Sequence, residues 1–246
     1  MLYSHQQSDN KKIFHWVWQD KEIVGSTNDE VKKLANENNP IVVSAKYQKE
    51  GRGRRGNSWQ SIEGNLYFSY SQEIPLNELS RYVCIVGLAL AKTIKTQSQN
   101  INVKIKWPND IYINNQKLAG ILFENIKENL WVIGIGVNIV KAPDLDDKIS
   151  YKATSLKDNS INLDRTEFLF YYLENFKKEI DQYRNYGFSK IKEQWLEYSL
   201  NLGETVIIKN EKITKEGIFS NIDDNGYLIL KKDKDEERII AGELFI

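Results

Sequence analysis

Residues 51–70 read GRGRRGNSWQSIEGNLYFSY, and the choice of fold turns on the segment behind the glycines. Arg52, Arg54 and Arg55 fall within four positions of a chain that has 7 arginines against 27 lysines. Gly51, Gly53 and Gly56 match the G-x-G-x-x-G pattern of dinucleotide folds. That pattern binds a pyrophosphate only where a helix starts at the loop. Here Trp59, Gly64 and the strand-like NLYFSYS come next instead. Gly51 and Gly56 also have P-loop spacing, but Asn57 stands at the lysine position and again no helix is signalled. Both nucleotide folds fall away. What is left is a glycine-rich basic lid, loose when empty and ordered over an anion. Glycine frees the backbone, and an arginine fork grips phosphate or carboxylate in a way lysine cannot imitate. A solvated surface turn is the plainer reading, and the concentration of arginine argues against it.

Working outward, IFHWVWQ reads as a short strand. Ser26 or Thr27 is an N-cap for the helical spacing of DEVKKLANE, which Pro40 ends. IVVSAKY and NLYFSYS are strands on either side of the arginine loop. LNELSRYVCIVGLALAKTIKT is a long, largely buried helix. VKIKWPND, DIYINNQKLAGILFE and LWVIGIGVNI read as successive strands, with a hairpin turn at Asn114-Asn115. LDRTEFLFYYLENFKKEIDQYR is an amphipathic helix capped by Asp164, and FSKIKEQWLEYS is another. After residue 202 the pattern changes to short alternating strands, separated by KNEK, DDNG and KDKDEE turns. Such a segment is too small to stand alone comfortably. The expected organisation is a loose tail over 1–12, a catalytic domain over 13–201 and a small β-barrel over 202–246.

Composition narrows the function. The 34 basic and 34 acidic side chains cancel, which argues against a dedicated nucleic-acid binder. Two histidines and one cysteine, Cys84, cannot build a His/Cys metal site. Cys84 lies in an apolar run and reads as a buried small hydrophobe. No stretch has the length of a membrane span or the pattern of a signal peptide. These features describe a cytoplasmic protein.

A second constellation is KWPNDIYINNQKLAGILFE, residues 106–124. The residue before a proline is biased to extended backbone, and Asn109 and Asp110 come just after it at a chain corner. Asp110 can hold Mg²⁺ whose shell is completed by phosphate oxygens. Lys117 lies across the hairpin, and Gly120 permits close approach of a ligand or another backbone. Gly134 and Gly136 in GIGVN have the same character, with Asn138 as a further polar candidate.

Taken together, GSTN at 25–28, Gln48 ahead of GRGRRG, Trp59, KWPND at 106–110, KLAGIL at 117–122, GIGVN at 134–138 and a closing AGEL resemble the biotin–protein ligases, in the form without an N-terminal DNA-binding domain. The resemblance implies an α+β fold. Its catalytic domain would be a mixed sheet with helices similar to class II aminoacyl-tRNA synthetases, joined to a C-terminal SH3-like β-barrel. It implies an ATP-dependent ligase that makes biotinyl-5′-AMP and passes biotin to a lysine of a biotin carboxyl carrier domain. ATP and Mg²⁺ would be required, with no tightly bound prosthetic group. Carried over by motif, Ser26, Thr27, Asn28, Gln48, Gly51, Arg52, Gly53, Arg54, Lys117, Gly120, Leu122 and Gly136 would contact biotin or its adenylate. Trp59, Asn109, Asp110 and Asn138 would serve ATP. Lys117, Arg54 and Asp110 would be the catalytic group, with Asp110 also touching Mg²⁺ through the phosphates.

Two departures qualify the analogy. Asn57 stands where many family loops continue with another arginine, and the chain ends soon after AGEL. Residues ahead of position 20 are too few for a three-helix DNA-binding unit, so neither a repressor role nor DNA or membrane partners are expected, and the chain should be a monomer or weak dimer. The rival readings are a lipoate–protein ligase or octanoyltransferase relative, and a nucleic-acid-binding module using the RGRR loop.

Overall fold

The computed structural model describes residues 11–36, 39–144, 151–210, 214–233 and 235–245. In chain order the strands are β1 (Lys11–Ile13), β2 (Trp16–Val24), β3 (Ile41–Gln48), β4 (Leu66–Glu73), β5 (Val103–Lys106), β6 (Asp110–Ile113), β7 (Gln116–Lys127) and β8 (Leu130–Val137). After them come β9 (Thr205–Lys209), β10 (Thr214–Ile222), β11 (Leu228–Lys232), β12 (Asp235–Ile239) and β13 (Glu243–Phe245). The α-helices are α1 (Thr27–Leu34), α2 (Leu79–Gln97), α3 (Arg165–Tyr186) and α4 (Phe188–Tyr198). The class is α+β, as the sequence indicates. Two compact units form, one from Met1–Glu73 with Leu122–Gly136, the other from Ile74–Ile121 with Val137–Ile246. Strand β7 contributes residues to both.

In the first unit, β2 and β3 are parallel, with Val17 opposite Ile41, and β4 adds antiparallel to β3. A parallel pair needs a crossover, and α1 provides it. The apolar face of α1 is narrow, so Val31 carries the packing. It closes a buried cluster with Ile41, Val43 and Val132. Trp16 is fully buried at the base of the sheet, and its indole N–H donates to the Ser71 carbonyl at 3.1 Å. Ser26 occupies the N-cap position of α1, but its side chain makes no capping bond. Of the expected tail, Lys11 and Lys12 pair in β1 against β2, and residues 1–10 lie outside the described residues. Glu37, at the end of the expected first helix, also lies outside them; α1 itself stops at Leu34.

The second unit is built on α2. Its buried residues include Cys84, Ile85, Leu88, Ala89 and Ile94. Burial, reinforced by the charge of Asp223, pushes the Cys84 thiol well above its ordinary pKa, the behaviour of an inert core cysteine. Lys92 on α2 reaches Glu179 on α3 and Gln194 on α4 at 2.6 and 2.5 Å, tying three helices at one point. Asp164 caps α3 through a full capping box with Glu167. Strands β5, β6 and the first half of β7 form an antiparallel meander. Asn114 and Asn115 both take positive φ, 49° and 63°, the backbone of a two-residue hairpin turn.

The last forty residues form a five-stranded antiparallel sheet in the order β12-β11-β10-β9-β13, the expected small barrel. Its DDNG turn seats on the start of α2. Arg81 donates to the Asp224 carbonyl at 2.8 Å and to the Asn225 side chain at 3.0 Å. The expected KDKDEE turn is narrower than that: Asp235, Glu236 and Glu237 belong to β12, paired with β11. β12 has four exposed residues in a row. With no apolar alternation to mark it as a strand, its backbone pairing decides the structure. Glu211 and Lys212 of the KNEK turn lie outside the described residues. Among the described residues no helix is long and apolar enough to cross a membrane.

Gly226 closes the DDNG turn at φ +84°, and a Cβ there would lie 2.7 Å from the Ser80 carbonyl oxygen. Gly226→Ala should therefore lose about 1–3 kcal/mol from backbone strain alone, with the collision added. Urea unfolding measures this, and unchanged stability would mean the turn does not hold the barrel against α2.

Candidate active site

In the first unit the predicted residues meet around the start of α1. Ser26, Thr27 and Asn28 are all buried, although they are polar and lead into a helix. Buried polar groups must be hydrogen-bonded, and Thr27 and Asn28 are. Gln48 Oε1, at the end of β3, accepts from the Thr27 backbone N–H at 2.8 Å and from the Thr27 hydroxyl at 3.0 Å. The Ser69 hydroxyl, on β4, lies 2.7 Å from Thr27 Oγ1 and 2.6 Å from Asn28 Oδ1. Asn28 Nδ2 donates to Glu124 Oε2 at 2.6 Å. One chain of hydrogen bonds thus runs from β3 through α1 and β4 to β7. Gly134 completes the cradle, since a Cβ there would collide with the Asn28 amide.

The arginine loop attaches to the far end of this chain. Arg52 makes a bidentate ion pair with Asp29, at 2.7 and 2.6 Å, and reaches Glu124 at 3.5 Å. Lys32 lies 3.2 Å from the same Glu124 oxygen. The Arg52 hydrogen bond holds the Asp29 carboxyl below the usual carboxylate range. Burial alone would raise Glu124, but Asn28, Lys32 and Arg52 together hold it low as well. Arg54 is half-buried and Arg55 exposed, in a single 3₁₀ turn in which Arg55 takes φ 55°. Trp59, half-buried, lays its indole on Gly136, where a Cβ would be 2.5 Å from the ring. The glycine is required by the indole. Leu122 is half-buried on β7.

In the second unit, Lys117 Nζ is 2.8 Å from Asp110 Oδ2, with the two side chains 14% and 21% exposed. The Lys117 ammonium also sits 5.1 Å from the Tyr151 ring centre, a cation–π distance. The Lys117 backbone is fixed on both sides, its N–H bonded to the Lys152 carbonyl and its carbonyl to the Thr154 N–H. Asp110 and Gly120 face each other across β6 and β7. Lys106 lies over the Tyr112 ring and, at 6.0 Å, over Phe245 of β13. Burial lowers its pKa, partly opposed by Asp110 and Glu243.

Two predicted nucleotide residues have structural bonds of their own. The Asn109 amide donates to the Ile121 carbonyl at 2.8 Å, and the Ile121 N–H returns to the Asn109 carbonyl. Asn138 is buried and donates to the Thr154 carbonyl at 3.0 Å. Both pin the backbone around Lys117. Among the described residues no cluster of three or more His, Cys, Asp or Glu side chains could hold a metal ion.

Sequence reasoning did not single out Asp29, Ser69 or Tyr151, and it gave no individual role to Lys106 and Glu124, the first and last residues of the 106–124 stretch. Asp29 stands directly after GSTN and Glu124 directly after KLAGILF, so both adjoin recognised motifs. Ser69 had a weaker signal, a hydroxyl inside an otherwise aromatic strand. Nothing local marks Tyr151.

The comparisons with known proteins bear on the family and the fold. The biotin/lipoate A/B protein ligase family matches residues 20–139, and the biotin protein ligase C-terminal domain matches residues 202–246. The bifunctional ligase/repressor BirA of Bacillus subtilis is 32% identical over 241 residues, covering 94% of this chain and 73% of the relative. The biotin–[acetyl-CoA-carboxylase] ligase of Paracoccus denitrificans is 32% identical over 231 residues, 89% of this chain and 96% of its own. Among solved structures, the biotin protein ligase of Aquifex aeolicus in complex with biotin and ATP superposes with a TM-score of 0.79 at 25% identity, covering 93% of this chain and 97% of that one. Fold, motifs and relatives converge: this chain belongs to the biotin protein ligase family.

Proposed function

We propose that this chain activates biotin with ATP and transfers it to a lysine of a biotin carboxyl carrier domain. In the first step a biotin carboxylate oxygen attacks the α-phosphorus of ATP, and pyrophosphate leaves. In the second the acceptor amine attacks the acyl carbon of biotinyl-5′-AMP, and AMP leaves. Both partners of the first step are anions, so fixed positive charge is the main requirement.

The observation that carries this reading is Lys117, held 2.8 Å from Asp110 inside the segment matched by the ligase family. A lysine fixed by its backbone on both sides and paired with one carboxylate is already placed when the substrate arrives. We assign Lys117 to the biotin carboxylate and the α-phosphate. Arg54 is the arginine that closes over the adenylate. Ser26, Thr27, Asn28 and Gln48 present the polar groups for the biotin head, and Gly120 and Leu122 approach the ligand through their backbones. Trp59 offers an aromatic face for adenine. Asn109 and Asn138 support the nucleotide side by holding the backbone that carries Lys117.

Mg²⁺ is proposed to enter with ATP. It keeps several waters and takes few protein ligands when phosphates are available. A single carboxylate, Asp110, suits that role. Closure of the arginine loop keeps water from the anhydride.

The direct test offers biotin and lipoate separately and measures pyrophosphate release with MgATP. Release with biotin is expected; a preference for lipoate would overturn the reading. Lys117→Ala should slow single-turnover adenylation on the order of 100-fold, from a loss of ~3 kcal/mol of transition-state stabilisation. Normal adenylation by this variant would remove Lys117 from the chemistry.

Arg54→Gly should release biotinyl-5′-AMP faster and biotinylate nearby lysines without selection. An unchanged dissociation rate for the intermediate would refute the closing role of Arg54.

A further inference from the structure

The arginine loop is folded as a miniature hairpin rather than a slack coil. Trp59 N–H donates to the Gly51 carbonyl at 2.8 Å, and Gly53 N–H donates to the Asn57 carbonyl at 2.7 Å. Between these bonds Arg52 and Ser58 form an antiparallel bridge. The tip turns through Arg55 and Gly56, both at positive φ. The base is held from two sides. Trp59 rests on Gly136, and the Arg52 guanidinium is gripped by both oxygens of Asp29, with Glu124 beside it.

This arrangement gives Arg52 a task of its own. Both oxygens of the Asp29 carboxylate are spent on Arg52, and Glu124 adds a second negative charge at 3.5 Å. The Arg52 charge is thereby answered inside the protein. We propose that Asp29 and Glu124 are positioning residues for the ligase reaction: they clamp Arg52 so that the loop has a fixed base and a moving tip, Gly53–Asn57. Arg52 then serves the ligand only through its main chain, and Arg54 on the tip brings the cationic side chain. This rests on the ligase reading above for its function, though not for its geometry.

Two physical points separate the clamp from an ordinary surface ion pair. An isolated exposed pair fixes little, because its geometry is loose and solvent-screened. Here the contact is bidentate, which sets orientation as well as distance. Its second carboxylate is itself immobilised by Asn28 at 2.6 Å and by Lys32 at 3.2 Å. The other point is where the clamp is tied. An acidic residue in the first turn of a helix is favoured by the helix dipole wherever it points, so Asp29 needs no loop to explain its position. Yet it comes immediately after Thr27 and Asn28, the residues that line the polar chain. The clamp therefore sets the distance between the loop base and the start of α1, on which ligand-binding geometry depends.

The test uses the full chain and the variants Asp29→Asn, Arg52→Gln and their combination, with Glu124→Gln as a second route to the same contact. In the unliganded protein, amide exchange over Gly51–Ser58 should be about tenfold faster in Asp29→Asn, while exchange in α2 and α3 stays as in the parent chain. The KM for biotin and the release rate of biotinyl-5′-AMP should rise about tenfold, with adenylation at saturating biotin within about twofold of the parent. Because Asp29 and Arg52 act through one contact, the double variant should be no worse than the poorer single one. Glu124→Gln should move the same readouts in the same direction. The clamp is overturned if loop-base exchange is unchanged in Asp29→Asn, if the two single effects add, or if saturated turnover falls as far as biotin affinity. Absence of any biotin-dependent pyrophosphate release from the parent chain would instead remove the ligase reading, and the exchange comparison would still decide the clamp.

Discussion

The arrangement of the first unit depends on one hydrogen-bond chain, buried at its centre and half-buried at its ends, running from Gln48 through Thr27, Ser69 and Asn28 to Glu124. Its members come from four elements, β3, α1, β4 and β7, and the buried ones, Thr27, Asn28 and Ser69, each leave an unsatisfied polar group if a neighbour moves. A buried polar group that loses its partner costs about 1–3 kcal/mol, so the chain is either whole or heavily penalised. That makes it a rigid ruler between β3, α1, β4 and β7. Gly134 belongs to the same constraint, because any side chain there would collide with the Asn28 amide. The glycines of GIGVN are thus explained by their protein neighbours, Asn28 and Trp59, before any ligand is considered.

Much of this was legible in the sequence. The missing helix after Gly56 excluded the nucleotide folds, and the structure has β4 there, beginning at Leu66. The Asn114-Asn115 turn and the Asp164 cap arise from local chemistry that tertiary packing did not override. What the sequence hid is of two kinds. β1 and β12 form through backbone pairing with little apolar patterning, so periodicity has nothing to detect. Asp29 and Glu124 are common charged residues whose role exists only once β7 and α1 are side by side. Composition could flag an excess of arginine, but not that Arg52 is gripped by Asp29 and Glu124.

The second unit solves a different problem, placing one lysine. Lys117 is flanked by Asp110 across the β6–β7 pair and by Tyr151, and its backbone is bonded to residues 152 and 154. Asn109 and Asn138 bond to the neighbouring backbone at Ile121 and Thr154. The barrel contributes through Phe245, whose ring lies beneath Lys106. Through that contact and the seating of the DDNG turn on α2, the C-terminal segment acts as part of the unit's packing.

Charge economy is common to both units. The chain carries no net charge, yet its proposed reaction brings two anions together. The structure meets this locally, by setting cations against carboxylates: Arg52 against Asp29 and Glu124, and Lys117 against Asp110. Two unit charges about 4 Å apart interact by ~4 kcal/mol at the effective dielectric of a protein surface. Such pairing holds each cation in place in the empty protein and lowers its attraction for an arbitrary anion. A ligand that offers only charge must compete with a carboxylate already in position. A ligand that also satisfies the hydrogen-bonding groups around Thr27 and Asn28 gains energy that a bare phosphate does not. On the proposed reading, discrimination in the first unit then comes from its polar chain rather than from the charge of Arg52 alone.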